Sequence, residues 1–94
     1  MNRIPLQERE EHILSSVIHR YVATAKPVGS KSLAGGLDVS SATIRSVLLD
    51  LERKGYLTHP HTSAGRIPKD QGYRFYVDRL MRAYRLNLKE KQSI

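Results

Sequence analysis

The sequence contains no cysteine, no tryptophan and no long apolar run. Without cysteine, disulfide bonds and thiolate chemistry are excluded. No run approaches the roughly 18 apolar residues that a membrane-spanning helix needs, and Met1 to Leu6 lacks the apolar core of a signal peptide. A chain of 94 residues leaves room for one small domain and none for a large enzyme fold. We therefore expect a soluble intracellular domain that is not an enzyme and binds no cofactor.

Positive charge is what the sequence has in excess. Sixteen Lys and Arg residues stand against nine Asp and Glu, a net charge of 16 − 9 = +7. Hydrophobic residues make up 39% of the chain and charged residues 27%, which is too apolar for a disordered basic tail. We expect a folded domain that attracts polyanions, and nucleic acid is the first partner to consider.

Apolar residues at helical spacing predict four helices. The first runs from about Gln7 to Ala25, and a very short second one follows Ser30 as a candidate N-cap. Ser40 is the N-cap candidate for the third, which covers about 41–54 and is the clearest in the sequence. Asp70 is expected to cap the last, which ends near Arg85 with a stripe assigned to the core: Tyr73, Tyr76, Val77, Leu80 and Tyr84. Residues 87–94 are expected to fray, so that 1–86 form the domain.

Two β-prone pieces, Tyr56 to His59 and Arg66 to Pro68, flank a polar loop and predict a small hairpin between the third and fourth helices. The proline residues Pro60 and Pro68 belong at strand ends or an outer edge, because proline cannot donate a ladder hydrogen bond. The predicted fold is mainly α (α+β), a winged helix-turn-helix with a three-helix core, a two-stranded wing and a C-terminal helix. Basic residues are concentrated in its last helix and the tail that follows, from Arg74 to Lys91.

In such a fold the third helix lies in the DNA major groove. Its helical phase puts small or polar residues opposite the core stripe, and four are predicted to contact bases: Ala42, Thr43, Arg45 and Ser46. Arg45 is the best candidate for a bidentate guanine contact, whereas Thr43 or Ala42 could touch a thymine methyl group. Contact with a phosphate is an equal alternative for Arg45, and plain solvation a lesser one. Leu49 on the same face suggests contact with another subunit or domain.

The loop at 61–66 is the expected wing tip, at the minor groove or the phosphates. Gly65 permits a tight turn and Arg66 could enter the minor groove, although a solvated hairpin arginine is the simpler alternative. Thr62 and Ser63 offer donors to phosphate. A second set of phosphate contacts is predicted at the start of the short helix: Lys26, Ser30 and Lys31. Capping alone would explain Ser30 equally well.

Other chemistries have less support. Gly29-Ser30-Lys31-Ser32 lacks the earlier glycine of a phosphate-binding loop, because position 24 is Thr24. His59 and His61 have a spacing that could hold a metal, but no third ligand completes a site. Ser63 near these histidines lacks an orienting acid and an enclosed pocket. Tyrosines could stack on single-stranded bases, but their helical spacing favours burial.

Several segments together resemble the N-terminal DNA-binding domain of the HrcA family of bacterial heat-shock repressors. They are Pro27-Val28-Gly29-Ser30, Ser40-Ser41-Ala42-Thr43-Ile44-Arg45, Asp50-Leu51-Glu52, Pro60-His61-Thr62-Ser63-Ala64-Gly65-Arg66 and Gly72-Tyr73-Arg74-Phe75-Tyr76-Val77-Asp78. The resemblance implies a cytoplasmic, nucleoid-associated repressor that binds double-stranded DNA at an inverted repeat, the CIRCE element, upstream of chaperonin genes. It also implies a homodimer, held by a C-terminal region that this chain lacks, and a response to the GroE chaperonin.

Three positions depart from the family pattern. Ser46 stands where Asn is usual, Leu49 where a small residue is usual, and Ser41 where Pro is usual. Asn pairs bidentately with adenine and Ser reads bases weakly, so operator preference is expected to differ by roughly 1 to 3 kcal/mol at that base pair. The alternative function is a winged helix that docks onto protein through Leu49, Phe75 and the basic last helix, with Phe75 predicted on an outer face.

Overall fold

A computed structural model describes residues 6–61 and 64–92 of the chain, with side chains described up to residue 89. The elements follow in the predicted order: α1 (Glu8–Thr24), α2 (Ser30–Ala34), α3 (Ser41–Arg53), β1 (Leu57–Thr58), β2 (Ile67–Pro68) and α4 (Asp70–Gln92). α1 packs against α3, α4 and β2, and α2 packs against α3. The predicted winged helix is confirmed. Within the described residues, no helix is both long enough and apolar enough to cross a membrane.

The ends of α1 are set by local chemistry. A capping box joins Gln7 and Glu10 at its start, and the Gln7 backbone N–H donates to Glu10 Oε1 at 3.0 Å. At its end Ala25 takes the left-handed conformation, with φ 58°, and its N–H donates to the Tyr21 carbonyl at 2.7 Å. Glycine is the usual residue there, because a Cβ atom makes this conformation unfavourable.

The predicted cap of α3 is confirmed and that of α2 is wrong. Ser40 Oγ accepts a hydrogen bond from the Thr43 backbone N–H at 3.2 Å, which satisfies one of the free donors at the start of α3. For α2 the N-cap is Gly29, and Ser30 is already the first helical residue. Ser30 enters the helix because Gly29 takes the extended cap conformation, without a side-chain hydrogen bond.

The wing has a third backbone partner that the sequence did not indicate. β1 and β2 pair antiparallel, with Leu57 opposite Pro68 and Thr58 opposite Ile67. Beyond this ladder, the Val28 N–H donates to the Arg66 carbonyl at 2.9 Å, and the Arg66 N–H donates to the Val28 carbonyl at 2.8 Å. The connection between α1 and α2 is therefore joined to the wing.

The core lies between α1, α3 and the sheet. Its buried apolar side chains are Ile13, Leu14, Val17, Ile18, Val28, Leu33, Ile44, Val47, Leu48, Leu51, Tyr56 and Leu57. Phe75 packs against this core, edge-on to the Tyr56 ring with centroids 6.3 Å apart. The prediction that Phe75 lies on an outer face is therefore wrong. The Phe75 face of α4 points inward because α4 approaches the Tyr56 backbone closely at Gly72. A Cβ atom on Gly72 would lie 2.5 Å from the Tyr56 carbonyl oxygen.

The stripe assigned to the core on α4 is largely exposed. Tyr76 is half-buried, but Tyr73, Val77, Leu80 and Tyr84 are exposed, with Tyr84 at 58%. The helix docks through Gly72, Phe75 and Tyr76 instead, which leaves the predicted stripe to one side. α4 also continues past Arg85 to Gln92, where a frayed tail was expected. Helical spacing identified an apolar face on α4, but spacing alone does not say what that face contacts.

A buried ion pair joins the start of α1 to the end of α3. Lys54 Nζ lies 2.8 Å from Glu10 Oε2 and 3.1 Å from Oε1. Burial raises the pKa of the Glu10 carboxyl. The hydrogen bonds from Lys54 and from the Gln7 backbone, together with the Lys54 charge, lower this pKa by more than burial raises it. The pKa of Glu10 therefore lies below its ordinary value, and the pair holds α3 against α1.

Candidate nucleic-acid interface

The outer face of α3 carries most of the predicted base-contacting residues. Ala42, Arg45 and Ser46 are exposed, whereas the core side of the same helix is formed by Ile44, Val47, Leu48 and Leu51. The predicted phase of the helix is therefore correct. Two small side chains leave room for a groove wall to approach the helix on either side of Arg45.

Arg45 and Thr43 differ in how free they are. Among the residues that the structure describes, Arg45 has no hydrogen bond and no ion pair, so its guanidinium is available to a ligand. Thr43 is half-buried and its hydroxyl accepts a hydrogen bond from Ser40 Oγ at 3.0 Å. The hydroxyl of Thr43 serves the helix cap, which leaves the methyl group as its means of touching a base.

The α2 side supplies two exposed cations. Lys26 and Lys31 are both exposed, and Ser30 between them is half-buried at the first position of α2. Their contact with phosphate stays a prediction. Its support is the exposed charge of Lys31 on α2, which packs against α3, and of Lys26 on the connection before it.

Arg66 is folded into the protein rather than extended from the wing. Its side chain is 10% exposed and its Nε lies 3.0 Å from Glu52 Oε1, an ion pair rather than an aligned hydrogen bond. Its Nη1 donates to the Ala64 carbonyl oxygen at 2.6 Å. The simpler alternative, that Arg66 is a solvated arginine of the hairpin, is therefore wrong. Minor-groove contact by Arg66 stays a prediction, and it would require the ion pair with Glu52 to open.

The rest of the predicted wing tip is only partly described. Thr62 and Ser63 lie outside the described residues. Gly65 is buried, and a Cβ atom there would lie 2.8 Å from Pro27 Cβ. Glycine is therefore needed where the wing passes the α1–α2 connection, and any DNA contact by Gly65 would be made by its backbone.

Glu52 is a residue that the analysis of single motifs missed. Besides Arg66, its carboxylate reaches His59, with Oε2 and Nδ1 2.8 Å apart. No group of three His, Cys, Asp or Glu side chains suited to a metal ion occurs among residues 6–61 and 64–92. In the sequence Glu52 stood only within the resemblance segment Asp50-Leu51-Glu52, and the fold makes it a neighbour of His59 and Arg66.

Exposed charge and exposed apolar surface lie together on α4. Arg74, Arg82, Arg85 and Lys89 are exposed, and they belong to the segment in which the sequence concentrates positive charge. The same helix exposes an apolar stripe: Tyr73, Val77, Leu80, Tyr84 and Leu88. On α3, Leu49 is 41% exposed.

The comparisons with known proteins agree with this architecture. No protein-family model matches the chain. The heat-inducible transcription repressor HrcA of Acetivibrio thermocellus is 57% identical over 91 residues, which cover 95% of this chain and 26% of that protein. The protein of the same name from Chlorobium limicola is 50% identical over 96 residues, which cover the whole of this chain and 27% of that one. The chain belongs to the HrcA family.

A solved structure supports the same fold. It is described as a crystal structure of a hypothetical protein at 2.2 Å resolution, and it is 40% identical, with a TM-score of 0.81. The match covers 84% of this chain and 25% of the solved chain. The chain thus spans about a quarter of the length of the HrcA proteins that it matches, and it is consistent with their N-terminal domain.

Proposed function

We propose that this HrcA-family domain binds double-stranded DNA in a sequence-specific manner and acts in transcriptional repression. The observation that carries the proposal is the outer face of α3, where Arg45 is exposed and unpaired within the described residues, between the small residues Ala42 and Ser46. A helix with such a face fits the major groove, and a planar guanidinium matches the two acceptors of guanine.

Phosphate contacts would hold α3 in register. The net charge of +7 favours approach to a polyanion. The exposed Lys26 lies before α2 and the exposed Lys31 in its first turn, and α2 packs against α3. The wing, about 61–66, would lie at the minor groove or the phosphates. Contacts of this kind position a protein on the duplex, whereas contacts to base edges select the sequence.

The proposals for the regulated genes and the partners rest on the family resemblance. The relatives are named heat-inducible transcription repressors. We propose that the protein represses heat-shock chaperone operons at a CIRCE-like inverted repeat, in the cytoplasm and at the bacterial nucleoid. A homodimer would match the two halves of such a repeat, and the GroE chaperonin is the proposed modulator. The role is binding rather than catalysis.

The test is the loss of one arginine. Arg45→Ala should weaken binding to the specific duplex by roughly tenfold or more, the equivalent of about 1 to 3 kcal/mol, and should reduce the preference over a scrambled duplex. Arg85→Ala is the matched control, since it removes the same charge from an exposed position on α4. Equal losses in the two variants at fixed salt would mean that Arg45 acts only through its charge.

A second candidate function is protein docking. The observation that favours it is the exposed apolar stripe of α4 together with Leu49, since apolar patches of this kind mark interaction surfaces. Phe75 no longer contributes, because it is packed against the core. Failure to bind either duplex, combined with self-association that Val77→Ser and Tyr84→Ser abolish in sedimentation velocity, would favour docking over DNA binding.

A further inference from the structure

The backbone ladder of the wing is very short. It has two residue pairs, and in one of them Pro68 faces Leu57 without an N–H to donate. A two-stranded hairpin is marginally stable alone. Contacts outside this ladder must therefore fix the direction of the wing relative to α3.

Glu52 supplies such contacts from the last turn of α3. Its two carboxylate oxygens reach opposite sides of the wing: Oε2 lies 2.8 Å from Nδ1 of His59, just after β1, and Oε1 lies 3.0 Å from Nε of Arg66, just before β2. Glu52 is 26% exposed and Arg66 10%, so water screens their pair only weakly. One side chain of α3 thus holds both ends of the wing loop.

Arg66 extends the connection in two directions. Its guanidinium donates to the Ala64 carbonyl, and its backbone pairs with Val28 on the α1–α2 connection. Glu52, Arg66 and Val28 therefore link α3, the wing and the α2 side in one chain of contacts. A substitution of Glu52 is therefore expected to disturb the position of the wing more than the packing of the core.

We propose that Glu52 is a positioning residue that sets the wing relative to α3, so that both elements contact one duplex at the same time. The inference rests on the proposed DNA binding and adds to it a residue that does not itself touch DNA. A carboxylate is repelled by phosphates, but this one is matched by Arg66 at 3.0 Å.

Charge and position give opposite expectations for Glu52→Gln. If Glu52 acted only as a negative charge near DNA, its neutralisation would tighten binding. If it positions the wing, the loss of the ion pair with Arg66 loosens the wing, and binding weakens. We expect affinity for the specific duplex to fall by about fivefold, the lower end of the usual coupling between two sites.

Asp50→Asn is the matched control. Asp50 is on the same helix, its side chain is 47% exposed, and it pairs with Arg53 at 3.4 Å rather than with the wing. Both variants remove one negative charge from α3. Unchanged or tighter binding by Asp50→Asn with weaker binding by Glu52→Gln supports positioning, whereas equal changes in the two variants overturn it.

A mutant cycle separates positioning of the wing from general loss of structure. Thr62→Ala with Ser63→Ala removes the wing side chains expected to contact phosphate. If Glu52 acts through the wing, Glu52→Gln costs less affinity in that background than in the wild-type chain. Strictly additive losses would overturn the inference.

Thermal unfolding accompanies each measurement. If Glu52→Gln does not fold, His59→Ala replaces it in the same cycle, because it removes one arm of the contact and keeps the pair of Glu52 with Arg66. Its affinity loss should again shrink in the Thr62→Ala, Ser63→Ala background, and an undiminished loss would count against positioning. Failure of the proposed function is distinguishable, since the wild-type chain itself would then not prefer the specific duplex.

Discussion

The ion pair between Glu10 and Lys54 gives a prediction with two signatures. Lys54→Met keeps the length of the side chain and leaves the Glu10 carboxylate, 9% exposed, without its cation. Removal of one partner of a buried pair costs about 3 kcal/mol, the lower end of the usual range, because Lys54 itself is 22% exposed. For a domain of this size that lowers the melting temperature by roughly 12 to 24 °C.

The second signature is the dependence on pH. In the wild-type fold the pKa of Glu10 lies below its unfolded-state value, so its stabilisation is complete above about pH 4.3 and is lost as the pH falls through the folded-state pKa. Without Lys54, burial is the largest remaining influence, and it raises the pKa of Glu10. Protonation of Glu10 then removes the unpaired buried charge from the variant. The difference in unfolding free energy between the variant and the wild type therefore becomes smaller at low pH.

Urea unfolding followed by circular dichroism, at about pH 7 and again at about pH 3.5, measures both signatures. Lys89→Met is the control, since Lys89 is exposed on α4, and it should change stability by less than about 0.5 kcal/mol. The double variant Glu10→Gln, Lys54→Met should recover part of the loss at neutral pH. A deficit that is the same at both pH values, or that the control shares, would refute this account of the pair.

Three further predictions concern backbone and surface. Ala25→Gly should raise the unfolding free energy by about 0.5 to 1 kcal/mol in urea unfolding, because Ala25 has φ 58°; a loss of stability would contradict the left-handed cap. Gly65→Ala should cost about 1 to 3 kcal/mol through overlap with Pro27, whereas Gly29→Ala, with nothing within 4 Å of its added Cβ, should cost less; the same denaturant midpoint for both would contradict the close approach. Val77→Ser with Tyr84→Ser should change the melting temperature of the isolated chain little, since these side chains are 53% and 58% exposed; a large decrease would place them in a core after all.

Local signals were enough to predict the elements and the face of α3. Ser40 precedes the apolar repeat of Ile44, Val47, Leu48 and Leu51 by one helical turn. The cap and the repeat together set the start and the phase of the helix. The exposure of Ala42, Arg45 and Ser46 follows from that phase. This exposure could be predicted from the sequence of α3 alone.

The features that could not be predicted are contacts between distant parts of the chain. Arg66 follows the polar loop, and its guanidinium lies inward beside Glu52, a residue of another element. Val28 pairs with Arg66 as a single residue, with no strand pattern around it to indicate the contact. On α4 the repeat of Tyr73, Val77 and Leu80 does form one helical face, but this face is exposed. Phe75 and Tyr76 pack against the core in its place.

The most direct test of the central claim is fluorescence anisotropy of this chain with two labelled duplexes over a salt series. One carries a CIRCE-like inverted repeat and the other a scrambled sequence of the same composition. Recognition by α3 predicts tighter binding to the inverted repeat at every salt concentration, with affinity for both duplexes falling as salt displaces the phosphate contacts. Equal affinity for the two duplexes, or no binding to either, would contradict sequence-specific DNA binding by this domain.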